Sequence, residues 1–277
     1  MKAFVLLLRR VRAFIVRDFQ LAVSYRMEFF MRMLTVLFIV TTLFFISKTF
    51  INSSDCACAE SPFSQWQNPL AAWITGLAVL NYFMTGFSSL ASAIRSEQMQ
   101  GTLESVLLSP LNLPTVIVAS SAWDFVQATF FSFLYLFFGW LFFDIHYRGN
   151  FLLALLFLLL TTFVLACVGI LSASFAMVFK RGDPFGILLG TGSALFSGVF
   201  FPTQLLGRGF GNVSRALPPT YGLDGIRRVL IEGQGLSQVR EPLTVLFIFL
   251  LVLLPFSLWV FGRAVRRAKR EGSLIQY

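Results

Sequence analysis

From Phe151 to Phe179 the chain carries no charged side chain. An α-helix needs about 20 apolar residues to cross the roughly 30 Å hydrocarbon layer of a bilayer, so this run alone predicts a membrane span. Five other runs have the same character, which gives six expected spans at residues 29–50, 70–93, 115–143, 151–179, 184–206 and 242–262. Arg32 and Lys48 stand near the ends of the first, where long cationic side chains snorkel to the headgroups. Asp124 is the only charge inside the third, and Pro255 is placed to kink the sixth by removing a backbone hydrogen bond. Composition agrees: 57% of residues are hydrophobic and 13% charged, where a soluble domain has roughly 25% charged. Soluble globular classes, disorder and a secreted disulfide scaffold are excluded. The expected fold class is an all-α polytopic membrane protein.

Lys and Arg are retained on the cytoplasmic side of a membrane. Lys2, Arg9, Arg10, Arg12, Arg17 and Arg26 precede the first span, and Arg263, Arg266, Arg267, Lys269 and Arg270 follow the last. Six spans place both termini inside, with residues 263–277 as a cytoplasmic tail. The loop at Lys180 and Arg181 is then inside, while Asp55, Glu60, Asp144 and Arg148 face out. One segment disagrees. Residues 207–241 would lie outside yet hold Arg208, Arg215, Arg227, Arg228 and Arg240. Either this segment is special or the span count is off by one.

The net charge of +9 therefore reports membrane topology, and no soluble basic face is left for nucleic acid. No cleavable signal peptide is expected, because the apolar run from Ala3 to Leu8 is short and arginines follow it at once. Cys56 and Cys58 share one outside loop, where so tight a disulfide ring is strained; Cys167 lies in the fourth span. In residues 1–28, Phe4, Leu8, Val11, Ile15, Phe19 and Ala22 recur at spacings of four and three, with Arg9, Arg12 and Arg17 on the other side. This predicts an interfacial amphipathic helix, arginines among anionic headgroups. A topogenic basic tail is the simpler alternative.

The loop at residues 94–114 is the most informative stretch. Gly101 suits the positive φ that ends a helix, Thr102 is a good N-cap, and Glu104 sits where the helix dipole favours an anion. Leu103, Val106 and Leu107 form a small apolar face, and Pro110 closes the element. A short capped helix with flanking carboxylates, projecting into the cytoplasm, is a docking element.

The string E-x-x-x-G-T-L-E-x-x-L-x-S-P from Glu97 to Pro110 resembles a signature of the permease subunits of ABC-2 type exporters. A second region, Phe196-Ser-Gly-Val-Phe-Phe-Pro202 followed by Leu217-Pro-Pro-Thr-Tyr-Gly-Leu-Asp-Gly-Ile-Arg227, is similar to the family's other signature. The resemblance covers nearly the whole chain. It implies a half-transporter membrane domain that dimerises with a second copy of itself and works with two copies of a cytoplasmic ABC ATPase, in an inner membrane of prokaryotic type. Glu97, Gly101, Thr102, Leu103, Glu104, Leu107 and Pro110 would then form the coupling helix, and the N-terminal helix would be the family's elbow. Residues 207–241 would fold into re-entrant helices between spans five and six. Phe200, Phe201, Pro202, Pro218, Tyr221, Asp224 and Arg227 would build this re-entrant or gate region, with Asp224 and Arg227 pairing inside protein.

ATP and Mg belong to the partner, and no cofactor is expected on this chain. A P-loop needs a Gly-Lys pair, but the four lysines follow Met1, Ser47, Phe179 and Ala268. A lone histidine, His146, makes no paired-histidine zinc site, and no Gly-x-Ser-x-Gly elbow occurs. Neither a catalytic residue nor a metal site is expected. Two intramembrane features remain. Gly182, Gly186, Gly190, Ala194 and Gly198 form a small-residue strip that suits either packing within the subunit or a dimer seam beside the substrate path. Asp124 must face protein or water, paired with Arg32 or Arg95 or used in substrate handling. The expected function is an exporter permease that moves an amphipathic, drug-like or lipid-linked glycan substrate by alternating access; a membrane scaffold and an ATP-independent channel are the alternatives.

Overall fold

The computed structural model describes residues 15–20, 22–52, 68–99, 113–147, 149–179 and 184–270. Among them every regular element is helical, in the order α1 (Arg26–Asn52), α2 (Pro69–Met99), α3 (Leu113–Phe143), α4 (Phe151–Phe179), α5 (Pro184–Phe196), a 3-10 turn (Thr203–Leu206), α6 (Gly207–Ala216), α7 (Pro218–Leu230) and α8 (Arg240–Arg270). Helix starts follow sequence punctuation. Pro69, Pro114, Pro184, Pro218 and Pro242 all fall in a first turn, where the missing N–H would have no intrahelical partner. Asn68 caps α2, accepting from the Ala71 N–H at 3.2 Å, and Asn150 caps α4 through the Leu152 N–H at 2.9 Å.

Helices α1, α2, α3, α4 and α8 are each long and apolar enough to cross a membrane. α2 is the central one, packed on α3, α4, α5 and α7, while α8 leans on α4. Asn81 ties α2 to α3, donating to the Ala128 carbonyl at 3.1 Å, and Ser132 returns a bond to the Ala78 carbonyl at 2.6 Å. Tyr82 and Thr129 share a further hydroxyl bond across the same seam. α4 meets α2 where Gly86 and Gly169 remove side chains: a Cβ on Gly169 would lie 2.3 Å from the Gly86 carbonyl oxygen. One end of the bundle holds Arg26, Arg95 and Arg266 and is called the basic end here.

The fourth expected span coincides with α4, and the other long helices extend beyond the apolar runs. The fifth does not form one continuous helix over 184–206. α5 stops at Phe196, Gly198 turns the chain with φ 84°, and Thr203–Leu206 forms the 3-10 turn. Gly198 therefore does not extend the helical strip, which ends at Ala194. Within it Gly186, Gly190 and Ala194 are buried, and Gly190 faces α2, where an added Cβ would come 2.7 Å from the Met84 sulfur. Gly182 lies outside the described residues, as do Arg9, Arg12, Cys56, Cys58, Gly101, Thr102, Leu103, Glu104, Leu107 and Pro110. Glu97 falls in the last turn of α2. The N-terminal segment is helical at 15–20 and 22–24 and meets α1 at a turn on Tyr25.

Candidate functional site

Where α5 ends, three successive carbonyls lose their helical donors, which is costly away from water. Each is met by a side chain from another element. Arg227 on α7 donates from Nη1 to Gly198 O at 2.7 Å and from Nη2 to Val199 O at 3.0 Å. The Trp73 indole on α2 donates to Phe200 O at 2.9 Å. Arg227 also grips the first turns of α2, with Nε and Nη2 at 3.2 and 2.8 Å from Ala72 O. The fit needs Gly76, whose Cβ would lie 2.9 Å from Arg227 Nη2 and 3.0 Å from Val199 O. Arg227 thus pins α7 and the broken end of α5 onto α2.

Asp224 forms its ion pair with Arg228, at 2.9 Å and one helical turn along, where the sequence suggested Arg227. Burial raises the Asp224 carboxyl above its ordinary range, and the guanidiniums of Arg228 and Arg227 offset part of the rise. The rest of α7 is seated on α4 by two glycines. Gly222 rests on Thr161 and Gly225 on the Phe157 ring, each so close that a Cβ would fall 2.3 Å from the nearest atom. Tyr221 donates to the Arg215 carbonyl at 2.9 Å, bridging α7 to α6. Pro202 and Pro218 are buried, Phe200 is half-buried and Phe201 is exposed. Together these elements roof a polar cavity of about 910 Å³, lined among others by Asn68, Ser197, Asn212, Asp224, Arg228 and Gln234.

A second polar region lies toward the basic end, between α1, α2 and α3. A void of about 630 Å³ is lined by Tyr25, Phe29, Arg32, Trp123, Asp124 and Gln127, and one of about 310 Å³ continues it along Asn81, Thr85, Ser88, Ser89 and Ser92 of α2. Arg32, Ser92, Asp124, Gln127 and Phe131 line both. Arg32 Nη1 donates to Gln127 Oε1 at 3.2 Å, and the guanidinium lies over the Phe131 ring at 4.8 Å. Asp124 therefore shares its surroundings with Arg32. Arg95, the other partner suggested by sequence, is exposed. The N-terminal segment closes the side, with Phe19 edge-on to Trp123 at 5.9 Å and Arg17 bonded to Asp18 at 2.8 Å.

Between the two polar regions the packing of α1, α2 and α3 is apolar. Val40, Ile74, Leu134 and Phe138 pack there as one buried cluster. Sequence reading missed Trp73 and Gly76 as parts of the outer site. Both lie inside an apolar run, and neither carries a local signal of the carbonyls that α5 brings from more than a hundred residues away.

Five helices long and apolar enough to cross a bilayer define an integral membrane protein. The family model for ABC-2 type transporters matches residues 9–231, and the chain belongs to that family. Membership makes it a transport permease and implies association with an ABC ATPase. The comparison with curated proteins returned no match.

Proposed function

We propose that the chain is the membrane-spanning subunit of an ABC exporter. It moves an amphipathic, drug-like or lipid-linked glycan substrate outward by alternating access, as a dimer driven by two copies of a cytoplasmic ATPase. The basic end faces the cytoplasm, and the loop at residues 95–110, with the carboxylates Glu97 and Glu104, seats as the coupling helix in a cleft of that ATPase. Residues 1–28 lie along the inner leaflet as an elbow, and α6 and α7 are re-entrant from the outer side.

The observation that supports this most is the pair of polar cavities at opposite ends of one bundle, separated by the Val40, Ile74, Leu134 and Phe138 cluster. A transporter that opens to one side at a time requires a vestibule on each side and a dry constriction between them. A scaffold subunit has no use for either vestibule, since polar surface within a membrane is costly. The broken α5 is the natural outer gate, because its carbonyls are held by side chains of α2 and α7 and not by its own helix.

The test is purification of the full chain in mild detergent, with mass spectrometry of what accompanies it and an ATPase assay. An ABC ATPase should co-purify with the parent chain and be lost with Glu104→Arg while membrane insertion is unchanged. A Glu104→Arg chain that keeps its ATPase and exports normally would remove the coupling-helix assignment. Absence of any ATPase from the parent complex would return the chain to the scaffold reading.

A further inference from the structure

The cavity at the basic end holds more charge than an apolar cargo needs. The Asp124 carboxylate has no hydrogen bond or ion pair among the described residues. Arg32 faces the same two voids, and beyond its bond to Gln127 and its contact with Phe131 its Nε and Nη2 donate to no atom among the described residues. Arg32 and Asp124 thus face one space without closing into an ion pair; the other charges on the larger void are Glu28 and the mutually bonded Arg17 and Asp18. Ser89 adds an independent sign: it is 2% exposed, lines the smaller void, and its hydroxyl has no partner. The Ser120 hydroxyl on the larger void is also without a partner.

Asp124 is half-buried, and an unpaired carboxylate inside a membrane-embedded bundle is costly unless something neutralises it. A simple anion on Arg32 would be repelled by Asp124, Asp18 and Glu28, and a simple cation on Asp124 would leave Arg32 without an anion. A group carrying both signs satisfies the pair. Depth fits as well: Arg32 lies about 9 Å along α1 from Arg26 at 1.5 Å per residue, near headgroup level. The outer faces of α1 and α3 beside the cavity are exposed and apolar at Phe30, Leu34, Phe130 and Phe133, a surface suited to acyl chains.

We propose that this cavity binds the headgroup of a zwitterionic aminophospholipid, with its ammonium on Asp124 and its phosphate on Arg32 and the free serine hydroxyls. Asn81, Thr85, Ser88 and Ser92 then form a polar row along α2 by which a headgroup is drawn inward while its tails stay in the bilayer. That second step rests on the transport reading; occupancy of the site does not.

The experiment is native mass spectrometry of the full chain in detergent supplied with equimolar phosphatidylethanolamine and phosphatidylglycerol, without nucleotide or ATPase. The ratio of the two retained lipids is read, so a variant that folds in lower yield still reports. The parent chain should prefer phosphatidylethanolamine. Asp124→Asn should lower that ratio about tenfold, the size of one lost charge-assisted contact, by freeing the site for the anionic lipid. Arg32→Gln should lower total lipid retention, and Arg228→Gln at the other cavity should change nothing. A ratio near one in the parent chain, or the same ratio in Asp124→Asn, overturns the proposal. Phosphoethanolamine without acyl chains should fail to displace the lipid; displacement at equal concentration would make the ligand the soluble compound and sink the lipid assignment. A chain that keeps the preference yet carries no ATPase would defeat the transport reading and leave this site standing.

Discussion

Replacing Arg227 by Met removes the pin at the break in α5 while keeping most of the side-chain volume. Four hydrogen bonds disappear. Ala72 O sits inside α2 and keeps its helical donor, so the exposed loss is at Gly198 O and Val199 O. Leaving a buried carbonyl unpaired costs about 1–3 kcal/mol, hence about 2–6 kcal/mol for the two. Part of this is offset because a half-buried guanidinium no longer has to be desolvated, leaving a net loss of about 2–4 kcal/mol. For a domain of this size each kcal/mol shifts Tm by roughly 2–4 °C, so the variant should melt about 5–15 °C lower. The assay is thermal unfolding read by a thiol-reactive dye on Cys167, which is buried at 4% exposure, in a background with Cys56 and Cys58 changed to Ser. Arg227→Lys should fall between, because one ammonium does not span both carbonyls. Gly76→Ala should lower Tm too, and its effect should shrink in the Arg227→Met chain, since Arg227 Nη2 is one of the atoms the new Cβ meets, while the Val199 carbonyl remains. A Met variant that melts within about 2 °C of the parent would refute the reasoning.

Gly222→Val pushes α7 off Thr161 on α4 and should cost about 1–3 kcal/mol through overpacking; unchanged unfolding would mean α7 does not rest there. Gly190→Leu collides with Met84 and should lower assembled yield and transport together, whereas normal function would show that α5 can leave α2 freely. Under the proposed topology, a cysteine at Asn212 should react with impermeant thiol reagents from outside or be shielded. Labelling from the cytoplasmic side alone would reverse the orientation of α6 and α7.

How far the sequence carried depends on the kind of signal. α4 was readable to the residue because its run is bounded by polar and charged neighbours, with Asn150 as cap. The end of α5 was not. Ser197, Gly198, Val199, Phe200 and Phe201 are as apolar as a span, and hydropathy is blind to where a backbone turns. Gly198 and Pro202 are the local hints, and Gly198 read equally well as one more step of the small-residue strip. The Asp224 partner was missed for a geometric reason: residues three and four apart both meet on a helix, and Arg227 at the nearer spacing is claimed by carbonyls from α2 and α5. The charge anomaly at 207–241 was visible, yet the contacts of Arg227 with Ala72, Gly198 and Val199 are ones that no local pattern encodes. Asp124 was legible as a problem, because a lone carboxylate in a span demands a partner, but its shared cavity with Arg32 appears only once α1 lies beside α3.

The threonines of α1 bear on how the protein is put together in a membrane. Thr35, Thr41, Thr42 and Thr49 each donate their hydroxyl to the carbonyl four residues back, at 2.8 to 3.0 Å, so none needs another helix to be at ease in lipid. Only 11% of the most apolar stretch of α1 is buried inside the protein, against 72% for α2. α1 can leave the insertion machinery and wait in the bilayer as a finished part. α2, whose Asn81 and Trp73 depend on α3 and on the turn after α5, is completed only when those partners arrive. The order of synthesis thus places a self-sufficient helix ahead of α2 and leaves the central one exposed until more than a hundred further residues have been made, which makes α2 the step at which membrane chaperones have most to protect.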